Sequence, residues 1–265
     1  MMEKMIFGRY IPGDSILHRM DPRAKLSFVF GFILIVFLAN NIMTYSILVG
    51  FVVMLILLSK MNIKFLVNGL RPVIYLIIFT FILQLFFNKE GEIIYSIGKV
   101  HIYEEGLRMA IFISIRFFLL VFVTTLMTLT TTPITLTDGL ESLMNPLKRF
   151  KFPVHELALM MSISLRFIPT LMDETDKIMK AQMARGVEFS SGPIKDRIKA
   201  IVPLLIPLFV SSFKRAEELA TAMEARGYRG GEGRTKYRLL EWKGRDTATV
   251  IVFVVLTGVL AWFRA

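Results

Sequence analysis

The chain has 265 residues, 54% of them hydrophobic and only 20% charged, with 32 Lys+Arg against 21 Asp+Glu and a formal net charge of +11. A basic excess of that size suggests nucleic acid, but mean hydropathy is +0.59. The run Leu26–Ser59 also holds no charge at all, which no soluble core of this length needs, so the composition indicates a membrane protein with basic flanks. The absence of cysteine excludes disulfide scaffolds, thiolate metal sites and thiol nucleophiles, and 23 phenylalanines argue against disorder.

Residues 1–25 carry Lys4, Arg9, Arg19, Arg23 and Lys25 without an apolar block and cleavage site. They read as a cytoplasmic arm rather than a signal peptide. Pro12-Gly13 marks a turn, and Asp21-Pro22 predicts a helix start. The uncharged run then divides at Asn40-Asn41 into two short spans, the first extended by a snorkelling Lys25. Pro72–Asn88, Met109–Thr131 and Thr247–Phe263 are the third, fourth and fifth. Arg116 lies early in the fourth span. An intramembrane Arg is a functional candidate, and the competing reading is a structural or snorkelling role.

Basic residues set the orientation. The arm has five Lys/Arg and the Asn40-Asn41 turn none. The loop 88–108 has three, offset by Glu90, Glu92, Glu104 and Glu105, and 133–245 has nineteen. The N-terminus and the long segment are therefore expected in the cytoplasm.

Residues 133–245 predict a helix over about Thr137–Phe150, with Thr137 or Asp138 as N-cap, and then two long amphipathic helices. The first covers about Pro153–Arg185, with Leu157, Met161, Leu165, Ile168, Met172 and Met183 on its apolar stripe. Arg166, Asp173, Glu174, Lys177 and Lys180 fall opposite. Pro169 should bend it, and Gly186 should end it as a left-handed cap. The second covers about Pro193–Arg226. Its stripe is Ile198, Val202, Leu205, Phe209, Phe213 and Met223, with Pro203 and Pro207 in its first half. Ser190-Ser191-Gly192-Pro193 breaks the two apart. Ala200–Phe213 is uncharged but too short for a span, and reads as interfacial or re-entrant.

The two helices end alike, in Ala181-Gln182-Met183-Ala184-Arg185-Gly186 and Ala222-Met223-Glu224-Ala225-Arg226-Gly227. The pattern recurs after 226 − 185 = 41 residues. Alanines flatten one face, Arg suits a helix C-terminus and can grip a carboxylate with two hydrogen bonds, and Gly stops the helix behind it. One copy is simply a good helix ending; two copies suggest paired docking sites for a partner with two similar pockets.

No phosphate-binding G-x-x-x-x-G-K-[ST] loop and no nucleophile elbow occurs, and His18, His101 and His155 lack metal-site spacing. The basic residues flank spans and mix with acids, which fits anionic lipid better than nucleic acid. Asp173 and Asp176 are the alternative: the Mg²⁺-dependent centre of an intramembrane transferase. Against that stands their reading as a solvated helix face paired with Lys177 and Lys180.

At the N-terminus, Tyr10-Ile11-Pro12-Gly13-Asp14-Ser15, Leu17-His18-Arg19 and Asp21-Pro22-Arg23-Ala24-Lys25-Leu26 resemble the signature of the transmembrane T component of energy-coupling factor transporters. The Ala-Arg-Gly endings resemble that family's paired coupling motifs. The resemblance implies an all-α polytopic membrane protein with about five spans and a cytoplasmic coupling domain of long amphipathic helices. Its parts would be 1–132, the arm and spans 1–4; 133–245, the coupling domain; and 246–265, the last span.

The resemblance also implies a non-catalytic subunit without cofactor or metal. It would join two ATP-binding-cassette ATPases to a membrane-embedded substrate-binding S component, importing vitamins or transition-metal ions across a prokaryotic inner membrane. Arg185 and Arg226, with Ala184, Gly186, Ala225 and Gly227, would dock the ATPases. Met161, Leu165, Met172, Phe209 and Phe213 would face the S component, where methionines can repack against different partners or merely fill gaps.

Overall fold

A computed structural model describes residues 10–61, 63–97, 100–189, 193–230 and 239–264. Lys4 and Arg9 of the basic arm, and Ser190-Ser191-Gly192 of the expected breaker, lie outside the described residues. The chain forms two compact units: 1–143 with 240–265, and 144–239 inserted between them.

The first unit is a helical bundle. Its α1 spans Pro22–Val36, with Pro22 at the first helical position and the Asp21 side chain accepting from the Arg23 N–H at 2.8 Å. This is the start that Asp21-Pro22 predicts. At 15 residues the helix is about 22 Å long, short of the roughly 30 Å of bilayer hydrocarbon. The chain turns at Asn40-Asn41 into α2, Ile42–Ser59. Both asparagine amides donate to the last carbonyls of the C-terminal helix, Asn40 to Arg264 and Asn41 to Phe263, each at 3.2 Å.

Helix α3 spans Ile63–Phe87; its apolar stretch, Pro72–Phe87, matches the expected span, and the helix itself begins nine residues earlier. A proline removes only one ladder hydrogen bond, so Pro72 lies within the helix instead of opening it. An antiparallel hairpin follows, β1 (Ile93–Ile97) with β2 (Val100–Tyr103), pairing Ile93 with Tyr103 and Ile97 with Val100 around a bulge. Helix α4, Glu104–Thr130, also begins before the expected Met109. Glu104 and Glu105 occupy its first turn, where carboxylates complement the helix dipole.

Helix α5 spans Pro133–Met144 and closes in a 3-10 turn, Asn145–Phe150. The expected N-cap at Thr137 or Asp138 is corrected to Thr132, whose Oγ1 accepts from the Thr135 N–H at 3.3 Å. Thr137 is instead mid-helix, donating to the Pro133 carbonyl. Pro133 at the first helical position explains the earlier start.

The second unit holds α6, Val154–Ala184, and α7, Ile194–Ala225. Both match the expected bounds within a residue, with Pro169, Pro203 and Pro207 inside them. The chain ends in α8, Gly244–Phe263, in the first unit.

Among the described residues α2, α4, α6 and α8 are long and apolar enough to cross a membrane, and Pro72–Phe87 is a shorter apolar helix. For α6 this rests on its first half. Its second half carries Asp173, Glu174, Asp176, Lys177 and Lys180, charges that hydrocarbon accepts only at high cost.

The bundle core joins α1, α2, α4 and α8 through Phe32, Val36, Leu48, Leu119, Phe122 and Leu260, all nearly or fully buried. Gly31 lets α1 approach α8 closely, because a Cβ there would strike the Phe253 ring. Arg116 donates to the Ala39 carbonyl at 3.1 Å and lies 5.1 Å over the Phe37 ring. It thus fastens the end of α1 to α4, the structural role among its two readings.

A polar hub closes the other end. Asp246 is fully buried; its two oxygens accept from the backbone N–H of Asp21 and of Lys243, both at 2.8 Å. Arg23 grips the Asp21 carboxylate, reaches the Leu240 carbonyl at 3.2 Å and lies over the Trp242 ring. The loop before α1 is held by His18, whose Nε2 donates to the Ile11 carbonyl at 3.1 Å while Ser15 Oγ lies 2.6 Å from Nδ1. Burial lowers the His18 pKa, aided by the Lys25 charge and opposed by the Ile11 bond and Asp14.

Candidate docking site at two helix ends

The tips of α6 and α7 are built the same way. At the first, Gly186 has φ +87°, its N–H donates to the Met183 carbonyl at 3.0 Å, and the Val187 N–H reaches back to Gln182 at 3.0 Å. At the second, Gly227 has φ +73°, its N–H donates to Glu224 at 2.8 Å, and the Tyr228 N–H reaches Met223 at 3.0 Å. Both are Schellman endings, in which a left-handed residue lets two N–H groups satisfy the last open carbonyls. Only glycine adopts that conformation without strain. The sequence expectation of a left-handed cap at Gly186 holds, and Gly227 repeats it.

These caps fix where the arginines stand. Arg185 and Arg226 are the C-cap residues of their helices, and both are exposed. Neither guanidinium has a hydrogen bond or ion pair among the described residues. The flanking Ala184, Gly186, Ala225 and Gly227 are exposed as well, and nothing lies within 4 Å of where a Cβ on either glycine would be. Each tip is thus a free cation on a bare, small-residue stub.

The helices run antiparallel. Gln182 Nε2 donates to the Pro203 carbonyl at 3.3 Å, while Arg215 Nη2 donates to Glu174 Oε2 at 2.9 Å and Ser211 Oγ to Oε1. Partners on α7 thus rise in number as those on α6 fall. Arg185 therefore lies level with about residue 200 of α7, and Arg226 stands roughly 40 Å further along it at 1.5 Å per residue. Two like-charged tips are held far apart by one stiff pair of rods.

The apolar stripes are largely unpaired. Met161 and Met172 are each 42% exposed, Phe209 61% and Phe213 73%; Leu165 is half-buried. What joins the helices is the polar set just named; beside it Ile163, Phe167 and Leu171 of α6 and Ala216, Leu219 and Met223 of α7 line one shared cleft. The pairing of Glu174 across to α7 was not legible from periodicity, which put it on a solvated face. Its spacing to Arg215 becomes meaningful only once the helices are known to be antiparallel. Asp173 and Asp176 stand exposed, and Glu174 is already bound to Arg215. Among the described residues no three His, Asp or Glu are grouped to hold a metal ion.

Residues 13–237 match the family model described as cobalt transport protein, CbiQ. The energy-coupling factor transporter transmembrane protein EcfT of Bacillus subtilis (strain 168) is 62% identical over 265 residues, all of both chains. The chain belongs to this family of energy-coupling factor transporter transmembrane proteins. The EcfT protein of Listeria innocua is 59% identical over the same full length. That of Streptococcus equi subsp. equi is 53% identical over 255 residues, 96% of this chain and 95% of its own. Both tips lie inside the region the family model covers, so the chain is a membrane subunit of a transporter with its repeated ending in place.

Proposed function

We propose that the chain is the coupling subunit of an ATP-driven importer, and that Arg185 and Arg226 each dock one of two ATP-binding-cassette ATPase subunits. The observation that carries this is the pair of matching, unpaired arginine tips. A dimer of ATPases offers two equivalent pockets, and an Arg fork gains most where a carboxylate meets it in a dry groove. Ala184, Gly186, Ala225 and Gly227 let the pocket walls close around each stub.

The exposed stripe of Met161, Leu165, Met172, Phe209 and Phe213 is the surface for a membrane-embedded S component. Thioether and aromatic side chains give it adaptability as well as area. ATP closes the ATPase pair, the two tips move with their pockets, and the stiff helices pass that motion to the stripe. The S component then shifts and delivers its substrate, a vitamin or a transition-metal ion. The chain itself does no bond chemistry. The N-terminal arm and residues 133–245 lie in the cytoplasm of a prokaryotic cell, under its inner membrane; their basic excess supports this orientation.

The test is the double charge reversal Arg185→Glu with Arg226→Glu, each removing a docked ion pair of the kind that costs about 2–5 kcal/mol to break. ATPase subunits should no longer co-purify and uptake should cease, while the chain still inserts in the membrane. Undiminished ATPase capture by that variant would refute the assignment.

A further inference from the structure

The bundle of the first unit contains a partly open cavity of about 220 Å³ between α1, α2, α4 and α8. Its walls are apolar side chains from all four helices, among them Phe28, Phe51, Leu126 and Val252; its polar lining is confined to Lys25, Thr130, Arg245 and Thr249. The lining comes from the first halves of α1 and α8, the last halves of α2 and α4, and Ile16, Leu17 and Met20 of the loop before α1, so the cavity lies at one end of the bundle. An apolar cavity of about 150 Å³ already stays dry and takes up an aromatic ring, so this one has room for a larger apolar group.

The polar groups are unevenly satisfied. The threonine hydroxyls donate to helix carbonyls, Thr130 to Met127 at 3.2 Å and Thr249 to Arg245 at 3.0 Å. Lys25 is 5% exposed, and its ammonium donates to two neutral groups, the Thr130 carbonyl at 3.0 Å and Thr131 Oγ1 at 2.7 Å. One of its three N–H bonds remains. Arg245 has a buried Nε with no hydrogen-bond partner, and its guanidinium has no ion pair among the described residues.

The neighbouring carboxylates are engaged elsewhere. Both oxygens of Asp246 accept backbone N–H bonds, and Arg23 holds Asp21. Two cations therefore share one apolar slot without a carboxylate bonded to either, a costly arrangement for buried charge.

A free inorganic anion would satisfy the cations but leave the apolar slot empty. A neutral hydrocarbon would fill the slot and leave Arg245 unpaired. An amphiphile with a negative head meets both demands, and α2, α4 and α8, each long and apolar enough to cross a bilayer, are at home in such molecules. We infer that this cavity binds an anionic phospholipid, with part of one acyl chain between α1, α2, α4 and α8 and the phosphate on Arg245 beside the remaining Lys25 N–H. The inference depends on membrane embedding alone, not on the docking role of the helix tips.

The full chain, purified in detergent, is offered phosphatidylglycerol, phosphatidylcholine or inorganic phosphate, and retained ligand is counted by native mass spectrometry. One phosphatidylglycerol should be kept, at least about fivefold in preference to phosphatidylcholine, the scale of one cation meeting an anionic headgroup. Arg245→Gln should erase the headgroup preference, and Val252→Phe, which fills the slot, should evict the lipid whatever its head. Equal retention of both lipids, or competition by inorganic phosphate alone, would overturn the proposal. Those comparisons use the unaltered chain and stand even where a variant fails to fold.

Discussion

The two units of this chain differ in what they enclose. In the bundle, Phe32, Leu48 and Leu260 are wholly enclosed by α1, α2, α4 and α8. In the inserted unit the large apolar side chains of α7 stand in the open, with Phe213 at 73% and Val210 at 65%, while polar bonds join it to α6. The bundle also exposes large apolar side chains, among them Leu34 at 72% and Phe87 at 79%, but it does so around an enclosed core. The second unit joins its two helices through polar bonds and leaves the apolar face of α7 open, the pattern expected of the S-component surface proposed above.

The contrast can be broken most sharply by paired truncations. Phe32→Ala should destabilise the bundle by about 3 kcal/mol through the void it leaves, read as an earlier unfolding transition in a denaturing detergent titration. Phe213→Ala should change that transition by less than about 0.5 kcal/mol and show its effect only in capture of a membrane partner. A comparable loss of fold stability from both would erase the distinction.

The polar join gives the next largest effect. Glu174 and Arg215 are each partly exposed, 21% and 35% for the side chains, so solvent screens the pair. A double-mutant cycle with Glu174→Gln and Arg215→Met should return a coupling of about 1 kcal/mol. A value near zero would mean that the apolar contacts alone hold α6 to α7.

Smaller still is the cap. Gly186→Ala meets no neighbour, so its cost is the left-handed strain alone, about 1 kcal/mol. It should appear as faster hydrogen exchange at the Val187 N–H, with the bundle unaffected.

The smallest is a pH effect confined to the loop before α1. His18 has a folded pKa below its unfolded value, so the unfolded chain takes up the proton first as pH falls. Stability is unaffected above the unfolded pKa of about 6.5. It declines from there down to the folded pKa and levels off below it. Unfolding midpoints between about pH 7.5 and 5 should show this decline and lose it in His18→Gln.

What could be read in advance follows from the range of the forces involved. Helix ends governed by local rules were legible: Asp21-Pro22, the Asn40-Asn41 turn, Gly186 and Gly227. So were the bounds of α6 and α7, because a long 3.6-residue period is a local signal. The starts of α3 and α4 were not. Each runs past the apolar block that marks a span, Pro72 offers no stop, and Glu104 looks like loop until the helix dipole is considered. The hairpin was missed because strands of five and four residues are too short for their alternation, as in Val100-His101-Ile102, to stand out. At the candidate site, the arginine tips and their flanking small residues were visible as a repeat. The Glu174–Arg215 bond, the Asp246 hub and the Lys25–Arg245 cavity were not, because each joins residues at least 41 apart in the chain (215 − 174 = 41).

The hub at Asp246 has a mechanical consequence. The inserted unit is tethered at both ends, leaving the bundle after Leu143 and returning at Leu240. The returning strand is riveted at once: Arg23 clasps the Leu240 carbonyl and lies over Trp242, and six residues on Asp246 ties the start of α8 to the backbone just ahead of α1. Whatever pulls on the chain at Leu240 therefore meets the first and last helices as a single anchorage.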